Sequence, residues 1–406
     1  MRNVPKLRFK EFSGDWEEKN ILELCSMKAR IGWQNLRKEE HLETGEFYLV
    51  TGTDFHLERI KWETAKYVDE ERYLQDKNII LKEGDVLITK DGSIGKLAFI
   101  ENIKDRKATL NNGIFRIRIE KEEQYSKYLF YTFLSNRFKL FLQQLTAGST
   151  IVHLYQKDFE KYAIAYPKLK EQEKIADFLS SVDKKISITE EKLDLFKDYK
   201  KGVMQKIFKQ ELRFKDSEGN DYPEWEEKRL GDVFSFKQGY QIPFKEQIKI
   251  KEKGYVRYLY ISDFFSDKNL LYVKDDGKEK ITETDITVAN TGNTAGSFYR
   301  GKSGILSNNM FNIQNDEKVV TNDFLFQFLG TSLYSNQLKT FFNSSGQPHL
   351  GHKNMSMIII NYPVSFEEQQ KIANFLSSID KKNDNLATEL ENLKEFKKGL
   401  LQQMFI

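Results

Sequence analysis

The stretch QEKIADFLSSVDKK, residues 172–185, returns as QQKIANFLSSIDKK at residues 369–382. Extended without a gap, the comparison pairs 171–208 with 368–405, and 19 of the 38 paired residues are identical. A match of that length within one chain marks an internal duplication. Apolar residues of the first copy fall at Ile175, Leu179, Val182, Ile186, Leu193, Phe196, Val203 and Ile207. The second copy has Ile372, Leu376, Ile379, Leu386, Leu390, Leu393, Leu400 and Met404. Steps of four and three alternate, which is the seam pattern of a coiled coil. Neither copy holds a proline, and each has one glycine, Gly202 or Gly399. The spacing predicts two helices of ~57 Å at ~1.5 Å per residue, well beyond globular lengths. Such helices need a partner, and a twofold relation between like units would pair them antiparallel with one domain at each end. Polar seam residues Thr189, Lys200, Asn383 and Lys397 are placed to fix the register. The plainer alternative is that each helix packs only on its own domain.

The repeat reaches upstream. LRFK at 7–10 returns at 212–215, DWEEK at 15–19 as EWEEK at 224–228, and LNNGIFRI at 110–117 stands beside LSNNMFNI at 306–313. Tyr-Pro closes both domains, at 166–167 and 362–363. The order is domain (1–168), helix (169–210), domain (211–365), helix (366–406). The domains have drifted apart while the helices have stayed alike, so different requirements act on the two parts. DVLITK (85–90), LAFIEN (97–102) and GIFRIRIE (113–120) read as strands, and 123–145 and 322–342 read as helices with buried aromatic faces. Each domain is therefore expected to be α+β with a small irregular sheet.

Composition sets limits. The 406 residues suit two domains, and 39% hydrophobic with 13% aromatic content is ample for folded cores. No apolar run approaches the ~20 residues of a membrane span. The segment MRNVPKLRFKEF lacks the apolar stretch of a secretory signal, so a cytoplasmic location is expected. A single cysteine, Cys25, leaves no internal disulfide and no Cys-rich zinc site. A net charge of +3 is modest for a nucleic-acid binder, whose basic groups would have to be concentrated or supplemented by a partner. Catalytic signatures are missing. KDGSIGKL lacks the first glycine of a P-loop and the Ser/Thr after its lysine. No Asn-Pro-Pro-aromatic run marks an adenine methyltransferase site. His349 and His352 have no carboxylate cluster beside them, and WEEK lacks the paired aspartate of a nuclease.

Two divergent domains, each followed by a nearly identical long helix, resemble the specificity subunit of a Type I restriction–modification enzyme. The resemblance rests on EQEKIADFLSSVDKKI and EEQQKIANFLSSIDKK opening the helices, and on KKGVMQKIF and KKGLLQQMF closing them. LRFKEFSGDWEEKNILEL, DYPEWEEKRLGDVFSFKQGY, the DGSIGK turn, the Asn-Asn pairs, and GSTIVHL or GQPHL ahead of Tyr-Pro also support it. It covers essentially the whole chain, but NTGNTAGSFYRG departs from the DGxxGK turn in the second domain. The resemblance implies two target-recognition domains, each reading half of a split sequence in double-stranded DNA. It implies an antiparallel, pseudo-twofold helix pair that sets the spacing and docks two methyltransferase subunits, with restriction/translocase subunits completing the complex. This chain would be non-catalytic and hold no cofactor; S-adenosylmethionine, ATP and Mg belong to the partners. The rival reading is a coiled-coil scaffold with two protein-binding domains.

Polar, glycine-containing loops lie between the elements: KARIGWQ (28–34), KDGSIGK (90–96) and AGSTIVHL (147–154), with counterparts KQGYQIPF (237–244), NTGNTAGSFYRGKSG (290–304) and SGQPHLGHK (345–353). Such loops offer backbone NH groups, cations for phosphates, and amides and imidazoles for base edges, against the plain reading of solvated turns. Candidates in the first domain, matched to the family's recognition loops, are Arg30, Gln34, Lys90, Ser93, Lys96, Asn111, Asn112, Ser149 and His153. In the second they are Gln238, Tyr240, Gln241, Asn293, Ser297, Arg300, Asn308, Asn309, Gln347 and His349. For Asn111, Asn112, Asn308 and Asn309 a role as turn caps stays equally open. Lys200, Lys201, Lys397 and Lys398 are candidates for the methyltransferase-facing side, against the plain reading of solvated lysines.

Overall fold

A computed structural model describes residues 4–31, 36–120, 123–146, 153–315, 319–342 and 348–406. The chain forms two compact units: Met1–Glu190 with Thr388–Ile406, and Glu191–Ala387. Each therefore contains one domain and opposite halves of the two long helices, Leu169–Phe208 and Phe366–Gln403.

In the first unit an antiparallel four-stranded sheet runs in the order Cys25–Lys28, Ile114–Ile119, Val86–Thr89, Leu97–Phe99. All four residues of Val86–Thr89 are buried, so this strand is covered on both faces. Leu87 and Ala98 join Val50, Ile79, Leu110 and Ile114 in one cluster. Beside it, Lys66–Val68, Phe47–Val50 and Lys107–Leu110 make a three-stranded sheet with one antiparallel and one parallel pair. The second unit repeats both sheets. Ser235–Gln238, Met310–Gln314, Ile286–Ala289 and Phe298–Tyr299 take the same order, and Leu271–Lys274, Tyr255–Leu259 and Ile305–Leu306 form the mixed sheet. Topology has survived where sequence has not.

The helices expected over 123–145 and 322–342 are each broken in two. Ser126–Leu134 gives way to Asn136–Thr146 at Ser135, which turns extended (φ −63°, ψ 159°). Asn322–Leu329 gives way to Ser332–Phe341 at Gly330–Thr331, and Thr331 Oγ1 accepts from Tyr334 N at 3.2 Å. A hydroxyl residue in extended conformation ends one helix and caps the next, a signal that aromatic periodicity masks.

The retained helix openings explain themselves. Arg8 makes a two-pronged ion pair with Glu171 (2.7 and 2.8 Å), and Trp16 Nε1 donates to the same carboxylate at 3.3 Å. In the second unit Arg213 (3.2 and 3.0 Å) and Trp225 (3.3 Å) hold Glu368 alike. Gln172 donates to Pro167 O and accepts from Tyr125 N. Gln369 donates to Pro363 O and accepts from Thr321 N. Both Glu-Gln pairs are buried, so neither can vary without stranding a buried polar group.

Within each unit the helix segments run antiparallel. In the first, Asp183 meets Lys397 (2.7 Å) and Glu190 meets Lys394 (3.4 Å). In the second, Phe196 lies under Lys382 (4.3 Å to the ring centroid) and Lys200 meets Asp380 at 2.5 Å. Every apolar seam position named from the sequence is buried or half-buried. The helices also pack on domains: Met204, Ile207 and Phe208 share a core with Phe324, Phe328, Ile372 and Leu376. Helix pairing and helix-on-domain packing thus coexist.

Candidate nucleic-acid interface

Three loops meet at one end of each four-stranded sheet. In the first unit the strand Val86–Thr89 runs into the turn 90–96. Lys90 N donates to Gly113 O (2.9 Å), beside the Asn-Asn pair, and Leu154 N donates to Lys90 O (3.0 Å). In the second unit Asn290 N donates to Asn309 O (3.0 Å), and Leu350 N donates to Asn290 O (2.8 Å). Lys90 and Asn290 are therefore structural equivalents, as are His153 and His349, each one residue before the bonded leucine.

The turns themselves are matched. Gly95 N donates to Thr89 O (2.9 Å) and Gly296 N to Ala289 O (2.8 Å). Both glycines are left-handed, φ +81° and +86°. A Cβ would come within 2.6 Å of Leu142 Cδ1 at Gly95 and 2.5 Å of Leu338 Cδ1 at Gly296. Backbone hand and space together demand glycine. The departure from DGxxGK is thus one added residue, accommodated around the short turn Gly292–Thr294, on an otherwise equivalent backbone.

On that frame the candidates separate into those that face outward and those that hold the frame. Ser93, Lys96, Gln241, Asn293, Asn308, Asn309 and His349 are exposed. Asn112 and Ser297 are half-buried at the same turns. His153 Nδ1 is hydrogen-bonded to Asp91 Oδ1, and its ring packs on Tyr155 at 4.4 Å. Lys90 is largely covered, its ammonium over the Phe115 ring at 5.5 Å. Asn111 Oδ1 accepts from Asn112 N at 2.9 Å, the capping alternative. Gln34, Ser149 and Gln347 lie outside the described residues.

Four candidates are turned to other work. Arg30 is 2% exposed and donates to Leu110 O (2.8 Å), Thr109 Oγ1 (3.3 Å) and Gln75 Oε1 (3.3 Å). Burial, with Arg72 nearby, pulls its pKa down. It is a strut between the first loop and the Asn-Asn loop, because three acceptors inside the domain outbid exposure to a ligand. Gln238 Nε2 donates to Asn308 O (2.6 Å) and Met310 O (3.1 Å), holding the equivalent loop in the second unit. Tyr240 is fixed at both ends: its hydroxyl accepts from Glu279 N (3.2 Å) and its carbonyl from Tyr258 OH (2.7 Å). Arg300 pairs with Asp323 (2.8 Å) and lies 3.9 Å over the Phe326 ring, turned to the helix Asn322–Leu329.

The helix lysines also separate. Lys201 and Lys398 are exposed. Lys397 is 8% exposed and held by Asp183 (2.7 Å) and Glu58 (3.0 Å). Burial opposes its charge, but the two carboxylates prevail and its pKa rises. Its ammonium faces its own seam, not a docking subunit. Lys200, half-buried on Asp380, does the same.

Sequence reasoning passed over Asn290, Asp91 and Tyr155. Asn290 is buried, with Nδ2 on Asn308 O (3.3 Å) and Oδ1 without a partner. The added residue hid its equivalence to Lys90, because counting back five from the paired glycines sets Lys90 beside Thr291. Tyr155, 52% exposed beside His153, had no counterpart in the repeat to draw attention to it. Among the described residues no group of three or more His, Cys, Asp or Glu is placed to hold a metal ion.

The family model for the Type I restriction modification DNA specificity domain matches this chain twice, over residues 13–196 and 222–395. The MjaVIII Type I restriction enzyme specificity subunit of Methanocaldococcus jannaschii is 24% identical over 419 aligned positions, covering 95% of each chain. The MjaIX specificity subunit of the same organism is 33% identical over 177 positions, 41% of this chain and 39% of that one. The crystal structure of a Type I restriction–modification S subunit from M. genitalium superposes with a TM-score of 0.65 at 18% identity over 99% of both chains. A chain from a structural study of Type I complex assembly and conformational transition gives 0.53 at 16% identity, covering 95% of this chain and 96% of that one. With the specificity domain matched in both halves and the fold shared end to end, this chain belongs to the Type I restriction–modification specificity subunits, non-catalytic components with two target-recognition domains.

Proposed function

We propose that each three-loop cluster reads one half of a bipartite site in double-stranded DNA. The observation that carries this is where the two units differ. On a matched backbone, Lys90, Asp91, Ser93 and Lys96 are replaced by Asn290, Thr291, Asn293 and Ser297, while the buried Arg–Glu–Trp clasps are the same. Change at the polar positions of this turn, with Ser93, Lys96 and Asn293 exposed on it, over a constant frame is what two readers of different half-sites require, since side chains at base edges carry the sequence information. The paired helices act as the spacer that sets the gap, much as protein geometry sets half-site spacing in dimeric DNA binders. Their outer faces, with Lys201 and Lys398, dock two methyltransferase subunits, which bring S-adenosylmethionine and methylate adenine. Restriction/translocase subunits bring ATP and Mg. The complex acts in the cytoplasm, and no helix among the described residues is long and apolar enough to cross a membrane.

The test is a map of adenine methylation in the host genome, with and without this gene. A split motif with a fixed gap that vanishes on deletion supports the reading. An unchanged map beside an active methyltransferase partner overturns it in favour of a protein-binding scaffold.

A further inference from the structure

Beyond the polar candidates, the loop that leaves Gln238 in the second unit carries an apolar group with no partner in its own fold. Phe244 is 83% exposed, the most exposed large apolar side chain among the described residues. Burying a Phe side chain stabilises a protein relative to leaving it in water, so a fold that leaves one outside forgoes that gain.

The loop is built to hold it there. Pro243 sets the approach (φ −56°), and Phe244–Glu246 forms a single tight turn closed by Glu246 N on Pro243 O (2.9 Å) and Gln247 N on Phe244 O (3.1 Å). Gln247 then ties the turn down, its Nε2 donating to Ile242 O (2.8 Å) and its Oε1 accepting from Tyr260 OH (3.1 Å). At the other end Tyr240 N donates to Leu306 O (2.8 Å), and Gln238 holds Asn308 O (2.6 Å). The turn therefore projects directly from the loop anchored on the exposed Asn308–Asn309 pair. Its surroundings are basic: Lys245, Lys249, Lys251 and Lys253 are exposed, against Glu246 and Glu252.

An aromatic held outward by its own turn, in a lysine-rich segment that follows polar base-reading candidates, suits a side-chain wedge, in which cations take phosphates and the ring enters between base pairs. We infer that Phe244 inserts at, or stacks on, a base step at the edge of the DNA bound by the second domain, unstacking it. This rests on the DNA-reading function proposed above. The ring adds deformability to what the second domain reads, since a step that unstacks easily is favoured over one that does not.

The test uses the full chain assembled with its methyltransferase partners, on duplexes carrying the site identified by the methylation map. Base unstacking is read by 2-aminopurine fluorescence at adenines and permanganate reactivity at thymines across the second half-site and its flanks. Apart from the target adenines, which the methyltransferases themselves draw out of the stack, the wild-type complex should show one unstacked step, and only that step is scored below. Phe244→Ala should abolish it and weaken specific binding about tenfold, within the range of base–aromatic stacking, while Phe244→Trp retains both. Because the side chain touches solvent, Phe244→Ala should melt with the wild type. If the wild type binds its site but no step unstacks, or Phe244→Ala keeps both signal and affinity, the wedge is overturned while DNA reading stands. If Phe244→Ala instead fails to assemble with the methyltransferase subunits, Phe244 is a protein-docking residue and the wedge is again overturned. Failure of the wild-type complex to select any site would overturn the underlying function as well.

Discussion

Single residues decide whether the recognition loops keep their shape, and Gly95 and Gly296 are the sharpest case. Both are left-handed and both would drive a Cβ into a leucine. Gly95→Ala or Gly296→Ala should each cost about 1–3 kcal/mol, combining backbone strain with steric displacement, measured by denaturant unfolding. The outward residues behave differently. Lys96→Ala should weaken all DNA about equally and lower the salt slope by about 1, while Asn293→Ala should relax one base position by ~1–3 kcal/mol. Binding titrations against single-substituted sites at several salt concentrations separate the two. Cys25 gives a pH test. Burial pushes its thiol from 9.0 up to about 12, with Arg116 opposing. Below 9.0 the thiol is protonated in folded and unfolded chains alike, so it adds no slope. Above it the unfolded chain loses the proton and the folded one keeps it, so stability falls as pH rises towards 12. Cys25→Ala should flatten that alkaline slope in parallel unfolding curves at pH 8 to 11.

At the scale of elements, one equivalent ionic node in each unit helps to hold the antiparallel register. Lys397 with Asp183 and Lys200 with Asp380 occupy matching positions of the repeat. The nodes are unequal. Lys397 has a second carboxylate, Glu58, delivered by the hairpin Phe55–His56/Arg59–Ile60. Its tip residues Leu57 and Glu58 sit at φ +47° and +57°, a conformation disfavoured for side chains other than glycine. Lys397→Met would leave two carboxylates facing a covered site, and should cost about 3 kcal/mol by the logic of broken buried pairs. Lys200→Met, nearer solvent with one carboxylate to leave, should cost about 1 kcal/mol. Thermal unfolding of both variants checks the order; equal losses would mean that Glu58 adds nothing.

Across the whole molecule the two units repeat one construction: a clasp of Arg, Trp and Glu at the helix opening, a buried glutamine, an ionic node and a three-loop cluster. Each unit is complete in these parts, so reading should be separable. A substitution at Asn293 or Asn309 should change only one half of the methylated motif, and one at Lys96 or Ser93 should not touch that half. Methylation mapping of such variants checks the division, and a change spreading to both halves would contradict it.

The sequence alone established the duplication and the two long helices, which rest on local periodicity and on identity between copies and need no knowledge of long-range contacts. Antiparallel pairing was an expectation from symmetry that the contacts of Lys397 and Lys200 bear out, and the family was a resemblance carried by motifs. The loops of the two clusters were also legible, because polar glycine-containing segments recur in order in both halves. What sequence could not decide was the direction in which a polar side chain points. Arg30 reads like a phosphate ligand until Leu110 O, Thr109 and Gln75 close around it. Lys397 reads like a surface lysine until a carboxylate 214 residues earlier in the chain and another 339 residues earlier meet it. Nor could it equate Lys90 with Asn290 across one added residue, which only the shared hydrogen bonds to Gly113, Asn309 and the following leucines reveal. Patterns repeated along the chain declare the elements. The pairing of buried polar groups is a matter of which distant backbone arrives beside them, and only the tertiary structure settles that.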